Sequence, residues 1–362
     1  MRVALVIGTR PQIIKSAPII HNANKFPDVE LFMVHTGQHY DYEMSKQFFN
    51  ELSLPDPVVN LGVGSGSHNW QTAQMMMGLD KAYAELKPDI VLVPGDTNST
   101  LAGALTAAKM RIPVAHVEAG ARSFDMRMPE EVNRRLTDHC SARLFAVTEG
   151  CAANLRREGI REDRIVLSGD TMYESVQRHR RDIDKEDVVG EFGLAAKNYG
   201  VLTLHRAENT DEEERFRRII GSLLELDLDI VFPCHPRTKN RLNEIGLLGK
   251  VQQRFRLIQP VSYFRMLSLV KNAAVVLTDS GGLQKEAFWL RTPCVTLRDS
   301  TEWLETVEAG TNQLVGSDPE KIARAVGEAS AQGFPVTPFE DSELLIPDAS
   351  VRILSNLLSN GW

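Results

Sequence analysis

The sequence predicts an α/β protein of two doubly wound, Rossmann-like domains, and three observations carry that prediction. Its 362 residues exceed what one ordinary core needs, so two domains of about 150 to 200 residues are expected. Short apolar runs that end in glycine or polar residues alternate with longer helical patterns, as in βα units laid on a parallel sheet. These runs fall into two sets, with a charged stretch between them.

In chain order, the first set reads RVALVIGT, LFMVHTG, DIVLVPGD, VAHVEAG, RLFAVTE and RIVLSGD. The second reads GVLTLHR, IVFPCH, RLIQP, AAVVLTD, PCVTLRD and NQLVG. Between them RHRRDIDKED, from Arg178 to Asp187, reads as a solvated helix face or linker and marks the hinge region. The terminal ASVRILSNLLSNGW puts Val351, Leu354 and Leu358 at helical spacing, which predicts a closing helix. The expected domains are 1–170, with the closing helix of about 350–362 packing back on it, and 171–349.

Composition narrows the partners. A formal net charge of -7, a pI of about 5.8 and the lack of any lysine or arginine run argue against nucleic acid. Cys140, Cys151, Cys234 and Cys294 form no CxxC pair, which argues against a zinc ribbon, a disulfide framework or a redox couple and fits a reducing cytoplasm. The apolar run in MRVALVIGTRP is too short for a signal peptide. No stretch approaches the roughly 18 apolar residues of a membrane span, so a cytoplasmic protein without membrane insertion is expected.

Open α/β sheets bind ligands outside the carboxyl ends of their strands, where loop amides and helix amino termini gather. Those positions hold Arg10, His35, Asp96, Glu118 and Glu149 in the first set, and His205, His235, Asp279, Ser280 and Arg298 in the second. In TDSGGLQKEAFWL, Ser280, Gly281 and Gly282 lie between a buried-type strand and a helix, the arrangement of a phosphate-binding turn; Glu286, one turn on, is placed for ribose hydroxyls. The competing reading makes Ser280 only a helix N-cap. GTRPQIIKS is not a P-loop, because Ile14 stands where a glycine is required, yet Arg10 and Lys15 are placed as fixed cations near an anion. Their alternative is ordinary helix-surface charge. GVGSGS, from Gly62 to Ser67, lacks the rest of a dinucleotide fingerprint and reads as a flexible loop. His35 and His39 are four apart, but Gly37 and the preceding strand argue against a metal pair.

Three acids remain. Asp96 and Glu118 end strands, while Glu130 follows Pro129 at a helix start, where the helix dipole alone would favour an acid. Together with His205 in VLTLHRAENT and an anion site, they suit proton transfer on both sides of a sugar.

The motifs GTRPQIIKSAP, HTGQHYDYEMS, GDTNSTLAGAL, HVEAGARS, MPEEVNRRLTDH, LTLHRAENTD, HPRT, TDSGGLQKEA and TEWLETVEAGTNQLVG occur in that order from Arg2 to about Gly316. In this the chain resembles the non-hydrolysing UDP-N-acetylglucosamine 2-epimerases. The resemblance implies two Rossmann-like domains facing across a cleft, as in GT-B glycosyltransferases, a homodimer, a UDP-sugar substrate, and no NAD, other cofactor or catalytic metal. It implies catalytic roles for Asp96, Glu118, Glu130 and His205. It implies nucleotide contacts for Arg10, Lys15, His235, Ser280, Gly281, Gly282 and Glu286, with Arg206 and Asn209 on the phosphate side.

Two features depart from the pattern. Bacterial members read QHR where this chain has QHY at Gln38 to Tyr40, in the region that binds an activating second substrate molecule. TEW at Thr301 to Trp303 and the stretch SFDMRMPEE are closer to relatives acting on UDP-2,3-diacetamido-2,3-dideoxyglucuronic acid. A uronate needs a cation for its carboxylate, and Arg122, Arg127 and Arg298 are the candidates; none is clearly committed, so UDP-N-acetylglucosamine is the expected substrate and the uronate the alternative. A GT-B glycosyltransferase is the less favoured competitor, since fold alone does not decide function.

Overall fold

The computed structural model describes residues 1–38, 42–332 and 342–359. His39 and Tyr40 of the QHY motif and the last three positions of the expected closing helix lie outside them. The chain forms two compact units, Met1–Gln177 with Glu343–Trp362, and Arg178–Ser342.

The first unit has seven strands: β1 (Arg2–Ile7), β2 (Glu30–His35), β3 (Val59–Asn60), β4 (Ile90–Pro94), β5 (Val114–Ala119), β6 (Arg143–Ala146) and β7 (Ile165–Leu167). They pair in parallel in the order β3-β2-β1-β4-β5-β6-β7. The helices between them are α1 (Arg10–Ala23), α2 (Tyr42–Glu51), α3 (His68–Leu86), α4 (Asn98–Lys109), α5 (Pro129–Cys140), α6 (Glu149–Arg157) and α7 (Thr171–Arg178). All of β4, and β1 after its first residue, are buried, as continuous apolar runs covered by helices on both faces must be. On one face Val6, Val34, Val91 and Val93 pack with Met75, Leu79 and Tyr83 of α3 and Ala104 of α4. Sequence reading missed β3, whose two residues are too few to show a period.

The closing helix, Ala349–Ser359, packs on α1. Beyond Ala349 and Ser350, its buried side chains are Ile353, Leu354 and Leu357; Leu358 is exposed and Val351 only half-buried, so the inward face lies one step round from the expected one. Asn22 Nδ2 donates to Glu174 Oε1 (2.9 Å) and Ser350 Oγ (2.7 Å), and the Ser350 hydroxyl donates to Glu174 (2.7 Å). This buried polar triad ties α7 and the closing helix to α1. The first unit accordingly runs to Gln177 rather than 170 and resumes at Glu343 rather than 350.

The second unit repeats the plan with β8 (Tyr199–Thr203), β9 (Asp229–Pro233), β10 (Phe255–Ile258), β11 (Val275–Thr278), β12 (Cys294–Thr296) and β13 (Asn312–Leu314), ordered β10-β9-β8-β11-β12-β13. All six pair in parallel. Its helices are α8 (Arg180–Lys185), α9 (Val188–Glu191), α10 (Ala207–Thr210), α11 (Glu213–Leu224), α12 (Pro236–Glu244), α13 (Leu248–Arg254), α14 (Tyr263–Asn272), α15 (Gly281–Trp289), α16 (Leu304–Glu308) and α17 (Pro319–Gln332). One face buries Phe216, Ile219 and Leu223 of α11 with Phe232 and Leu277; the other buries Leu269 and Val270 of α14 with Tyr199 and Val201. The charged stretch after Arg178 is less solvated than its composition suggests. Ile183 of α8 is buried, α8 packs on α14, and the His179 ring lies 4.9 Å from that of Phe264.

In each sheet the strand order reverses once, between β1 and β4 and between β8 and β11. Helices leave to opposite faces there, and the diverging loops leave a ligand crevice at the carboxyl ends. Among the described residues no helix is long and apolar enough to cross a membrane.

Candidate active site

In the first unit Gln12 joins the two switch-point strands. Its Oε1 accepts from Gly8 N (2.9 Å), and its Nε2 donates to Pro94 O and Thr100 Oγ1 (both 3.0 Å). Position 8 must be glycine, because a Cβ there would lie 2.1 Å from Thr36 Oγ1 and 2.2 Å from Ser99 Oγ. Further along α1, Lys15 is buried with its Nζ 2.7 Å from Glu118 Oε2.

Glu118 sits where the β5–β6 register shifts, and its φ of +70° is a left-handed value rare outside glycine. Such a bulge re-aims one side chain at the end of a strand. Asp96, two residues after β4, pairs with Arg134 Nη2 of α5, and Asn133 Nδ2 holds its main-chain oxygen (3.0 Å). Glu130, at the start of α5, is half-buried and has no hydrogen-bond or ion-pair partner among the described residues. The next residue, Glu131, is fully buried and accepts from Ser123 N (2.9 Å), Ser123 Oγ (3.0 Å), Arg134 (3.2 Å) and Arg135 (2.9 Å). Of these adjacent acids, one is structural and the other is free to act. Arg10 lies over the Phe48 ring, 4.7 Å from its centroid.

In the second unit Asp279, directly after β11, organises the loop after β8. It accepts from the backbone N–H groups of His205 (3.0 Å) and Arg206 (2.9 Å), from Asn209 Nδ2 (3.2 Å), and lies 3.2 Å from His205 Nδ1. Burial alone would raise this carboxyl; the His205 charge and hydrogen bond and the two main-chain donors outweigh it and bring it down to about 2. A carboxylate on Nδ1 leaves Nε2 of the half-exposed His205 ring pointing away for other work. His235 caps α12 by accepting Arg237 N–H at Nδ1 (3.2 Å), which puts its proton on Nε2. Desolvation and then the charges of His205 and Arg237 push it down, so it is a neutral donor.

Ser280 caps α15, accepting from Leu283 N at 3.4 Å, so the cap reading holds for its side chain. The amides of Gly281 and Gly282 in the first turn of that helix have no acceptor among the described residues. A Cβ on Gly281 would meet Trp303 Nε1 (3.4 Å), Glu302 Oε2 (3.5 Å) and Arg206 Nη2 (3.9 Å), so the indole N–H and a guanidinium border the turn. Glu286 is buried one turn further along.

Lys15, which the resemblance implies as a nucleotide contact, pairs with Glu118 in the first unit. Asn209, implied on the phosphate side, is fully buried: it joins Asp279 to Leu297 O (2.9 Å) and accepts from Arg215 (2.7 Å), so it supports the loop that carries Arg206. Glu149 pairs with Arg156 at the surface, and His35 is buried, accepting from Gly37 N (3.1 Å). Arg134 and Trp303 were missed as neighbours of the site. Asp279 ends a strand in the sequence pattern, but nothing local in the sequence encodes its hold on His205. Among the described residues no cluster of three or more histidine, cysteine or acidic side chains is placed to hold a metal ion.

The family description UDP-N-acetylglucosamine 2-epimerase matches residues 21–358. The chain belongs to that family. It is 48% identical to the UDP-N-acetylglucosamine 2-epimerase of Methanocaldococcus jannaschii, over 90% of this chain and 91% of the relative. It is 43% identical to a Pseudomonas aeruginosa UDP-2,3-diacetamido-2,3-dideoxy-D-glucuronate 2-epimerase, over 90% and 91%. The crystal structure of the M. jannaschii epimerase in complex with UDP-GlcNAc and UDP superposes with a TM-score of 0.92 at 44% identity, covering 99% of this chain and 100% of the other. The Neisseria meningitidis epimerase bound to UDP-GlcNAc gives 0.89 at 31% identity, with 99% and 100% covered. Both units of this family member are Rossmann-like, as the sheet orders require.

Proposed function

We propose that this epimerase interconverts UDP-N-acetylglucosamine and UDP-N-acetylmannosamine by elimination and re-addition of UDP. The proton on C2 is not beside a carbonyl, so its direct abstraction at neutral pH would be too slow. Breaking the C1–O bond first places positive charge on the ring, and a carboxylate then takes the C2 proton, leaving 2-acetamidoglucal and UDP. Return of UDP to C1, with a proton delivered to the opposite face of C2, completes the epimer.

The observation that carries this reading is the division of labour between the units. Asp96, Glu118 and Glu130 are proton-transfer groups at the carboxyl end of the first sheet, two of them held by a cation each. The second sheet brings His205, Arg206, His235 and the α15 amides together at its own switch point, a donor set for a departing pyrophosphate. Glu286 is assigned to the ribose. The reading requires one substrate molecule to engage both groups during turnover.

The preference for the simpler sugar is supported by the candidate arginines. Arg122 is committed to Asp138 and Glu158 (both 2.7 Å), and the buried Arg298 to Glu302 (2.9 Å). Arg127 pairs with Asp125 on an exposed loop, so each of the three already has a carboxylate. The Pseudomonas relative and the TEW motif keep the uronate as the second reading. We also place the enzyme in the cytoplasm as a homodimer; the exposed Trp70 and Met77 on α3 suit a subunit contact.

The test is proton NMR of enzyme and UDP-N-acetylglucosamine in deuterated water, with EDTA and no added nicotinamide. Epimer carrying deuterium at C2, with slow leakage of 2-acetamidoglucal and UDP, is expected. Epimer that keeps its original C2 proton, or activity that needs a divalent ion, would overturn the mechanism.

A further inference from the structure

His116 lies on β5 two residues before Glu118 and is completely buried. Its Nδ1 is 2.7 Å from Asp138 Oδ1, and its Nε2 is 2.7 Å from the carbonyl oxygen of Gly95, the residue before Asp96. Both neighbours accept, so the ring donates from both nitrogens. Asp138, on α5, is equally buried. Its other oxygen accepts from Arg122 Nη2 (2.7 Å) and from the N–H of Gly120 (3.2 Å), two residues after Glu118. Burial pushes the Asp138 carboxyl up, and the charges and hydrogen bonds of His116 and Arg122 more than reverse this, so it stays ionised. One buried pair therefore grips the main chain just before Asp96 and just after Glu118.

A second route leads back to the same place. Arg122 continues to Glu158 (2.7 Å); Arg135 spans Glu158 (3.7 Å) and Glu131 (2.9 Å); Arg134 joins Glu131 (3.2 Å) to the Asp96 carboxylate. Charges alternate along this chain, which starts at the Gly95 carbonyl and ends on the side chain of the next residue. Well-packed apolar side chains would stabilise the fold as well as or better than buried ions. The geometric return is a fixed separation between two strand ends.

We propose that His116 and Asp138 are positioning residues that set Asp96 relative to Glu118, and thereby the partition of the bound 2-acetamidoglucal between re-addition of UDP and escape. This rests on the reading that both carboxylates act in the reaction. Re-addition needs one acid to deliver a proton to C2 while UDP is still in place. Misplacing that acid slows recapture, whereas the donors proposed for the pyrophosphate in the second unit, His205, Arg206, His235 and the α15 amides, are untouched. Misplacement of a reacting group by about 1 Å costs on the order of 100-fold.

The experiment compares His116→Gln and Asp138→Asn with the unmodified enzyme, measuring the ratio of released 2-acetamidoglucal to epimer in each reaction by NMR. That ratio does not depend on how much of a variant is folded. Both variants are expected to raise it about tenfold or more and to lower kcat for epimerisation by about 100-fold, with Kd for UDP within about twofold of the unmodified enzyme. An unchanged ratio in both variants, whatever the fall in total rate, overturns the proposal alone. Failure of the unmodified enzyme to form epimer overturns the reading it rests on and this proposal with it.

Discussion

Glu118 shows how much a single side chain is asked to do. Its left-handed backbone costs of order 1 kcal/mol or more, and the β5 bulge and Lys15 hold it there. Asp96→Asn, Glu118→Gln and Glu130→Gln are each expected to cut turnover at least about 100-fold while remaining folded, which steady-state rates and circular dichroism would check. Near-normal rates in all three would remove the acid-base assignment. Stability should rank them differently. Glu118→Gln strands a buried ammonium and should cost about 3 kcal/mol, whereas Glu130→Gln, which breaks no pair among the described residues, should cost less than about 0.5 kcal/mol in urea unfolding. The acids were readable because strand-end carboxylates in an open α/β sheet lie where ligands bind. Their cations were not: Arg134 is 38 positions from Asp96, on a helix whose rotation only packing decides.

At the level of elements, β11 and the loop after β8 form one device through Asp279. Because the folded carboxyl titrates at about 2, below its ordinary 3.8, the stability it contributes is present above about pH 4 and is lost as pH falls through about 2. That contribution is roughly 2 kcal/mol. Urea unfolding of the second-unit core is expected to weaken between pH 4 and pH 2 by about that amount in the unmodified enzyme, and to lack this component in Asp279→Asn; equal slopes would exclude the ion pair as drawn. All six strands of the second unit and six of the seven in the first were readable, because buried parallel strands are continuous apolar runs. The exceptions have physical reasons. A two-residue β3 carries no period, and α8 hides one buried isoleucine among eight charged residues of a ten-residue stretch. The closing helix is apolar over more than half its girth, so Val351 and Leu358 match the helical period as well as Ile353 and Leu357, and only the surface of α1 selects the inward face.

For the whole molecule, the prediction concerns choice of substrate. UDP-N-acetylglucosamine and the diacetamido uronate competed in one tube report the ratio of their kcat/KM values directly, and the simpler sugar should win. A tenfold preference for the uronate would reverse the substrate assignment and leave the acids and the phosphate turn as proposed. Light scattering at twice the 40.4 kDa chain mass is expected; a particle of 40.4 kDa would end the dimer proposal. The sequence by itself determined the α/β class, the doubling of the sheet and the strand-end positions of the proposed site, since each is local: a few apolar residues make a buried strand, and the residue after it lies at the sheet's edge. Only the tertiary structure decided which groups meet. Lys15 pairs with Glu118, Asn209 turns inward, Glu131 is buried while Glu130 has no partner among the described residues, and His116 links the ends of β4 and β5. Those contacts join residues far apart in the chain, brought together by parallel pairing and by helix packing, and no local pattern encodes the distance between two side chains that meet only when the sheet is assembled.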